Sequence, residues 1–183
     1  RAPDPIIDKS CTSDPLVDCK DDPLVKAALE RYYADCASSS RGALKIVCSD
    51  GNSFSCKDNT VRYRGSGCGS LAHEILHAAD SCKNNDKCDL YDPGNLDPYC
   101  KHWMCMEARA TTRASCCDPS NPWRKGKTWA QCVEALRNWY LDNGDAYGCK
   151  GVSREDRLAA WNKCAPSDLT EATACGGNIP AIE

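Results

Sequence analysis

Long apolar runs are missing from this sequence. The longest are a handful of residues, against about 20 needed to cross a bilayer as a helix. A dominant charge is missing too. Lys and Arg number 23 against 26 Asp and Glu, a formal net charge of −3, which leaves no basic surface for nucleic acid and no polybasic membrane patch. There is no Cys-x-x-Cys knuckle of the kind structural zinc uses, no EF-hand spacing with its closing Glu, and no Asn-x-Ser/Thr sequon. Neither a starting Met nor the apolar h-region of a signal peptide is present, so the sequence reads as a mature or trimmed form whose targeting segment is out of view. Histidine occurs only three times in 183 residues. That scarcity gives weight to where the three lie.

Cysteine is abundant. Sixteen are spread from Cys11 to Cys175, and an even count without metal knuckles argues for up to eight disulfides and an oxidising compartment. Spacing does not reveal the connectivity. Adjacent Cys116 and Cys117 are nevertheless expected to take different partners, because a bridge between neighbours is strained. Disulfides are typically worth about 2–4 kcal/mol each, so reduction is expected to threaten the fold.

With no internal repeat and no break in composition, residues 1–183 read as one domain. Residues 1–21 are Pro- and Asp-rich, an extended arm stapled by Cys11 and Cys19. Asp22-Pro23 is an N-cap followed by Pro at the first helical position. Val25, Ala28, Leu29, Tyr32 and Cys36 then mark one face of a helix running to about residue 37. Segments 44–49 and 60–64 are short β-rich runs, a hairpin or two neighbouring strands. A helix is expected over 70–82. Segment 83–100 follows as a polar loop whose Asp86, Asp89, Asp92 and Asp97 read as solvated rather than calcium-binding. A third helix is expected over 102–115 and a Pro/Lys linker over 118–127. Thr128-Trp129-Ala130-Gln131 is a capping box opening a helix with Trp129, Cys132, Val133, Leu136 and Trp139 or Tyr140 at core spacing. Ser153 starts the last helix, with Leu158, Trp161 and Cys164 on one side, and 166–183 is an irregular tail. The expected fold is α+β, predominantly helical, with a small sheet and heavy disulfide bonding.

The most informative segment is His73-Glu74-Ile75-Leu76-His77. Helical positions four apart share a face, so His73 and His77 can present two imidazole nitrogens to one metal ion. Zinc takes such nitrogens, and Glu74 stands beside the position a reacting water would occupy. Gly67, Gly69 and Ser70 precede the motif as a turn and N-cap, and Leu71, Ile75, Leu76, Ala78 and Ala79 supply its apolar flank. A catalytic zinc needs a third protein ligand. Asp80, three residues past His77, would have to reach back past it, and holding an imidazole or a neighbouring Arg is easier. His102 and Glu107, from the next helix, are the other candidates.

The segments HEILHAAD and HWMCMEARA together resemble the mitochondrial inner-membrane metalloprotease family that processes an ATP synthase subunit and assists its assembly. The matching positions are His73, Glu74, His77, Asp80, His102, Cys105, Glu107, Arg109, Ala110, Cys132 with Val133, and Trp161 with Cys164, in order over roughly half the chain. The resemblance implies a zincin-like metalloprotease and favours Glu107 as the third ligand. The sequence departs from the family in its cysteine number, in the loop holding Cys88 and Cys100, in Glu134-Ala135 where the family has Arg-Arg, and at 165–168. Substrate and compartment are therefore not carried over. A secreted relative is expected, with the mitochondrial intermembrane space as the alternative.

On this reading the chain is a monomeric zinc endopeptidase acting on a protein or peptide, with His73, His77 and Glu107 on zinc and Glu74 as general base. His102 or Arg109 would steady the oxyanion, and the strand at 60–64 would form the rim of a cleft that pairs with extended substrate. The alternative is a zinc-stabilised, disulfide-rich binding, effector or assembly protein.

Overall fold

Local capping chemistry sets several of the element boundaries. A computed structural model describes residues 1–83, 88 and 92–176. Asp22 accepts hydrogen bonds from the backbone N–H of Leu24 (2.8 Å) and Val25 (3.1 Å), opening helix α2 (Pro23–Asp35). The capping box forms as its sequence implies: Thr128 Oγ1 accepts from Gln131 N and Gln131 Oε1 accepts from Thr128 N, starting α5 (Trp129–Asn143). Ser153 Oγ accepts from Asp156 N at 3.1 Å to start α6 (Arg154–Cys164).

The arm before Asp22 is more structured than its composition implies. It contains strand β1 (Ile6–Ile7) and a single helical turn, α1 (Pro15–Asp18), capped by Asp14. Strand β1 lies parallel to β2 (Lys45–Cys48), the chain crossing over through α1 and α2, as parallel strands require. Strand β2 lies parallel to β4 (Thr60–Tyr63), and between them in sequence a third strand, β3 (Ser53–Ser55), folds back antiparallel on β4. The sheet order is β1-β2-β4-β3. Strand β4 is therefore interior, flanked on both sides, and cannot form the substrate-pairing rim expected of 60–64. Among the described residues the sheet's two edges are β1 and β3, and β3 is a three-residue strand too short to read from its sequence.

Ile46 and Val61 of the sheet are fully buried against α3 (Cys68–Lys83), whose Leu71, Ala72, Ile75 and Leu76 are sealed from solvent, and against Val25, Ala28 and Tyr32 of α2. Helix α4 (Asp97–Arg113) starts five residues before the expected 102, because Pro98 fits a first turn that the polar composition disguised. A 3-10 turn (Ser115–Cys117) follows it, and another (Gly144–Tyr147) follows α5. The tail at 166–183 is not wholly irregular: α7 (Glu171–Cys175) forms with Thr170 as its cap. The expected loop residues Asp86 and Asp89 lie outside the described residues. Among the described residues no helix is long and apolar enough to cross a membrane.

All 16 cysteines are paired. Cys11–Cys48, Cys19–Cys68, Cys36–Cys82 and Cys56–Cys88 close the chain up to residue 88. Cys100–Cys149, Cys105–Cys164, Cys116–Cys132 and Cys117–Cys175 close the chain from residue 100 onward. Cys116 and Cys117 do take different partners. No disulfide joins the first set to the second.

Candidate metal centre

Helix α3 carries His73 and His77 on one face, one turn apart, and their Nε2 atoms converge to 3.0 Å. Glu107, on the facing turn of α4, brings Oε2 to 3.3 Å from His73 Nε2 and Oε1 to 3.4 Å from His77 Nε2. Two atoms each about 2.05 Å from one tetrahedral ion lie about 3.3 Å apart, so the three separations match the spacing of ligands around a single ion. Two features fit that chemistry further. Glu107 Oε2 is buried without a hydrogen-bond partner among the described residues, an unfavourable state that a cation would relieve. The three side chains retain only 11, 8 and 13 % of their exposure. This buried His73, His77, Glu107 group can hold a metal ion.

The helix ends on which these residues sit are fixed from a distance. Helix α3 begins at Cys68, so Ser70 lies inside the first turn and is not the cap expected of it. The cap is Asp118, whose Oδ2 accepts from Gly69 N at 3.2 Å. A Cβ at position 69 would sit 2.4 Å from the Asp118 Cβ, which explains why a glycine stands there. Three residues before Asp118, Ser115 Oγ lies 2.8 Å from His73 Nδ1. A hydrogen bond on that nitrogen orients the ring and leaves Nε2 for the metal. Neither Ser115 nor Asp118 carries a local sequence signal for these roles.

Asp80 and Arg109 form a buried ion pair, Asp80 fully sealed and Arg109 2 % exposed. Burial pushes the Asp80 carboxyl up to about 6 despite the Arg109 charge beside it. Asp80 thus holds a neighbouring Arg, the easier of the roles weighed for it. Arg109 does not line the cleft that exposes the histidines, which removes it as an oxyanion donor.

That cleft has a volume of about 520 Å³. Its floor is His73, Glu74 and His77, one side is the β3 edge at Ser53 and Phe54, and the other side comes from α4 and α5. His102 and Glu107 line it as well, so all five candidate site residues surround one space. Burial raises the Glu74 carboxyl above its usual range, with Glu107 adding to the effect and both histidines opposing it. Burial opposes charge on His77, but Glu107 outweighs it and lifts the imidazole to about 9. Burial and the nearby His77 lower His102. Tyr140, which its helical spacing marks only as core, also reaches this space: its hydroxyl is within hydrogen-bonding reach of Glu107, and burial together with that carboxylate keeps it protonated. No protein-family model, curated protein or solved structure matches this chain, so the meaning of the site rests on its own geometry.

Proposed function

We propose that the protein is a zinc-dependent endopeptidase. The observation that carries the reading is the His73–His77–Glu107 cluster on the floor of an open cleft, with Glu74 beside it and a free strand edge alongside. Two imidazoles and one carboxylate, open on one side, are the donor set of a catalytic rather than a structural zinc. Zinc held there would polarise a substrate carbonyl and bring the pKa of water toward ~7.

The remaining steps belong to the chain. The open edge of β3 offers backbone hydrogen bonds to an extended peptide, laying it across the cleft. Glu74 takes the proton of the attacking water and passes it to the leaving amine. Its raised affinity for protons, a consequence of burial, suits a group that must hold and then release one. His102, kept neutral by burial, donates its ring N–H to the developing oxyanion. Tyr140 and Ser115 hold Glu107 and His73 in place. The eight disulfides fit an oxidising compartment, and secretion is the reading we favour over the intermembrane space.

A zinc-stabilised binding or assembly protein is the second reading. The absence of any disulfide between the two ends of the chain favours it, because a metal held by α3 and α4 would itself fasten them together. A diverse peptide pool offered to zinc-loaded wild type and Glu74→Gln separates the two. Cleavage by wild type and a loss of about 10²–10⁴-fold in the variant, with zinc content unchanged, is the expected result. Cleavage by neither would sink the peptidase reading in favour of the second.

A further inference from the structure

The side of the cleft opposite β3 is built from aromatic rings. Trp103 of α4 and Tyr147 of the Gly144–Tyr147 turn stack with centroids 5.2 Å apart and planes at 12°. Trp139 meets Tyr140 at 5.1 Å and 81°, and Tyr147 at 5.9 Å and 54°. These four rings face the same space as the metal cluster. Such groups are ordinarily buried as core, yet Tyr147 is 45 % exposed. An aromatic left half in water gives up burial free energy that the fold does not recover.

The turn that presents Tyr147 is held firmly. Cys149 ties it to Cys100 in α4. Arg157, itself buried, donates to Leu141 O and Cys149 O at 2.8 Å and to Val152 O at 3.0 Å, and pairs with Asp145. Gly148, at φ +88°, lies so close beneath Tyr99 that a Cβ would fall 2.4 Å from its ring. The exposed ring therefore stands on a rigid mount rather than a loose loop. Charge is equally telling: among the described residues, no Lys or Arg lines the cleft, and its only carboxylates are Glu107 in the metal cluster and Glu74 beside it.

We infer that the Trp103–Trp139–Tyr140–Tyr147 wall is the specificity subsite of this cleft and takes a large apolar side chain, aromatic above all, from the peptide lying against β3. The inference rests on the peptidase reading in that the occupant is a peptide. Flat rings set both parallel and perpendicular to one another offer stacked and edge-on contacts to a further ring. A prebuilt wall binds without the cost of ordering a loop. Among the described residues, the wall's face toward the metal cluster offers a basic side chain no carboxylate beyond Glu74 and Glu107, and an acidic one no Lys or Arg.

Binding tests this apart from turnover. Zinc-loaded Glu74→Gln protein, full-length and disulfide-intact, is titrated calorimetrically with acetyl-Gly-Phe-Gly-Gly-amide and with the same peptide carrying Ala in place of Phe. The Phe peptide is expected to bind about tenfold or more tighter. Adding Tyr147→Ala should bring that ratio close to one, whereas Tyr147→Phe, which keeps the stack, should preserve it; near-ultraviolet circular dichroism checks that each variant is folded. Equal binding of the two peptides, no binding of either, or a ratio indifferent to Tyr147→Ala would each overturn the inference. A preserved ratio in a protein whose wild type cuts nothing would uphold the subsite and remove the peptidase reading alone.

Discussion

Up to residue 88 the chain packs a four-stranded sheet against α2 and α3 around one continuous apolar core, in which Leu44, Ile46, Val61, Leu71, Ile75 and Leu76 are fully sealed. From residue 100 onward, much of the apolar content is divided among three smaller clusters, around Met104 and Leu141, around Trp129 and Leu136, and around Trp161. Each region has its own four disulfides, and the boundary between the two sets falls between α3 and α4. What crosses that boundary near the site is a thin strip of α4 and the turn after it. Ala110 and Ala114 join the first core, while Arg109, Ser115, Asp118 and Glu107 make polar contacts with α3. The interior of each region is thus secured by hydrophobic burial and covalent bonds. The joint between them depends heavily on charge and hydrogen bonding, and the metal cluster lies in it.

Placing a group that can hold a metal at such a joint has a physical logic. A cluster shared between two separately stapled bodies can be set by their docking, and the cleft opens where the bodies meet. One body contributes the floor and the strand edge; the other contributes Glu107 and the aromatic wall.

The contrast can be broken most severely at the buried ion pair. Arg109→Met removes the guanidinium paired with the buried Asp80 carboxylate and is expected to cost about 3–5 kcal/mol, read as a lowered denaturation midpoint; Asp80→Leu combined with Arg109→Met should recover much of that loss. Full cost in the double variant would mean that packing, not charge, holds the joint. Removal of the metal comes next. Where free zinc exceeds its Kd by 100-fold, chelation should lower stability by about 2.7 kcal/mol. Hydrogen exchange should then rise around Glu107 and 115–118, while the sheet and the interior of α6 stay protected. A uniform rise across both regions would show that they behave as one body.

A smaller effect is expected at Ser115. Ser115→Ala removes the hydrogen bond that orients His73 and should weaken zinc about 10–100-fold in a competition titration, with little change in the metal-free protein's melting. Unchanged affinity would take Ser115 out of the site. The smallest effect lies far from the joint. Asp8 accepts from Ser10 N–H and pairs with Lys45, and the first of these contacts chiefly holds its carboxyl down to about 2. A lowered carboxyl stabilises the fold above its unfolded value and loses that contribution as pH falls through its folded one. The melting difference between wild type and Asp8→Asn should therefore be present at about pH 5 and shrink toward about pH 2. A difference that is flat with pH would show that β1 does not depend on this contact.

How much could be read in advance depended on distance along the chain. Asp22-Pro23, Thr128 with Gln131 and Ser153 announced their helices because a cap and its partners lie within three residues. His73, Glu74 and His77 were legible for the same reason, since helical periodicity places them on one turn. Strand β3 carries no sequence signal because three residues, Ser-Phe-Ser, are too few for alternation to register. Tyr140 falls on the stripe with Trp129, Val133 and Leu136, and periodicity cannot tell a core stripe from one whose end lines a cleft. Between His102 and Arg109 as oxyanion donor the sequence does not choose, because their neighbours say nothing about which way each side chain turns; Arg109 turns to Asp80 and His102 to the cleft.

Legible from the chain alone were the mainly helical character, the disulfide pairing of a cysteine-rich chain, and two histidines and a glutamate on one helical turn. Each follows from composition or from contacts within a few residues. The tertiary structure alone decided that Glu107 meets the two imidazoles, that Asp118 caps α3 across 49 residues, that the disulfides divide the chain into two regions, and that β3 rather than β4 is an edge strand. Those outcomes depend on how separate elements dock, and docking is set by the summed packing of many side chains, which no local pattern encodes.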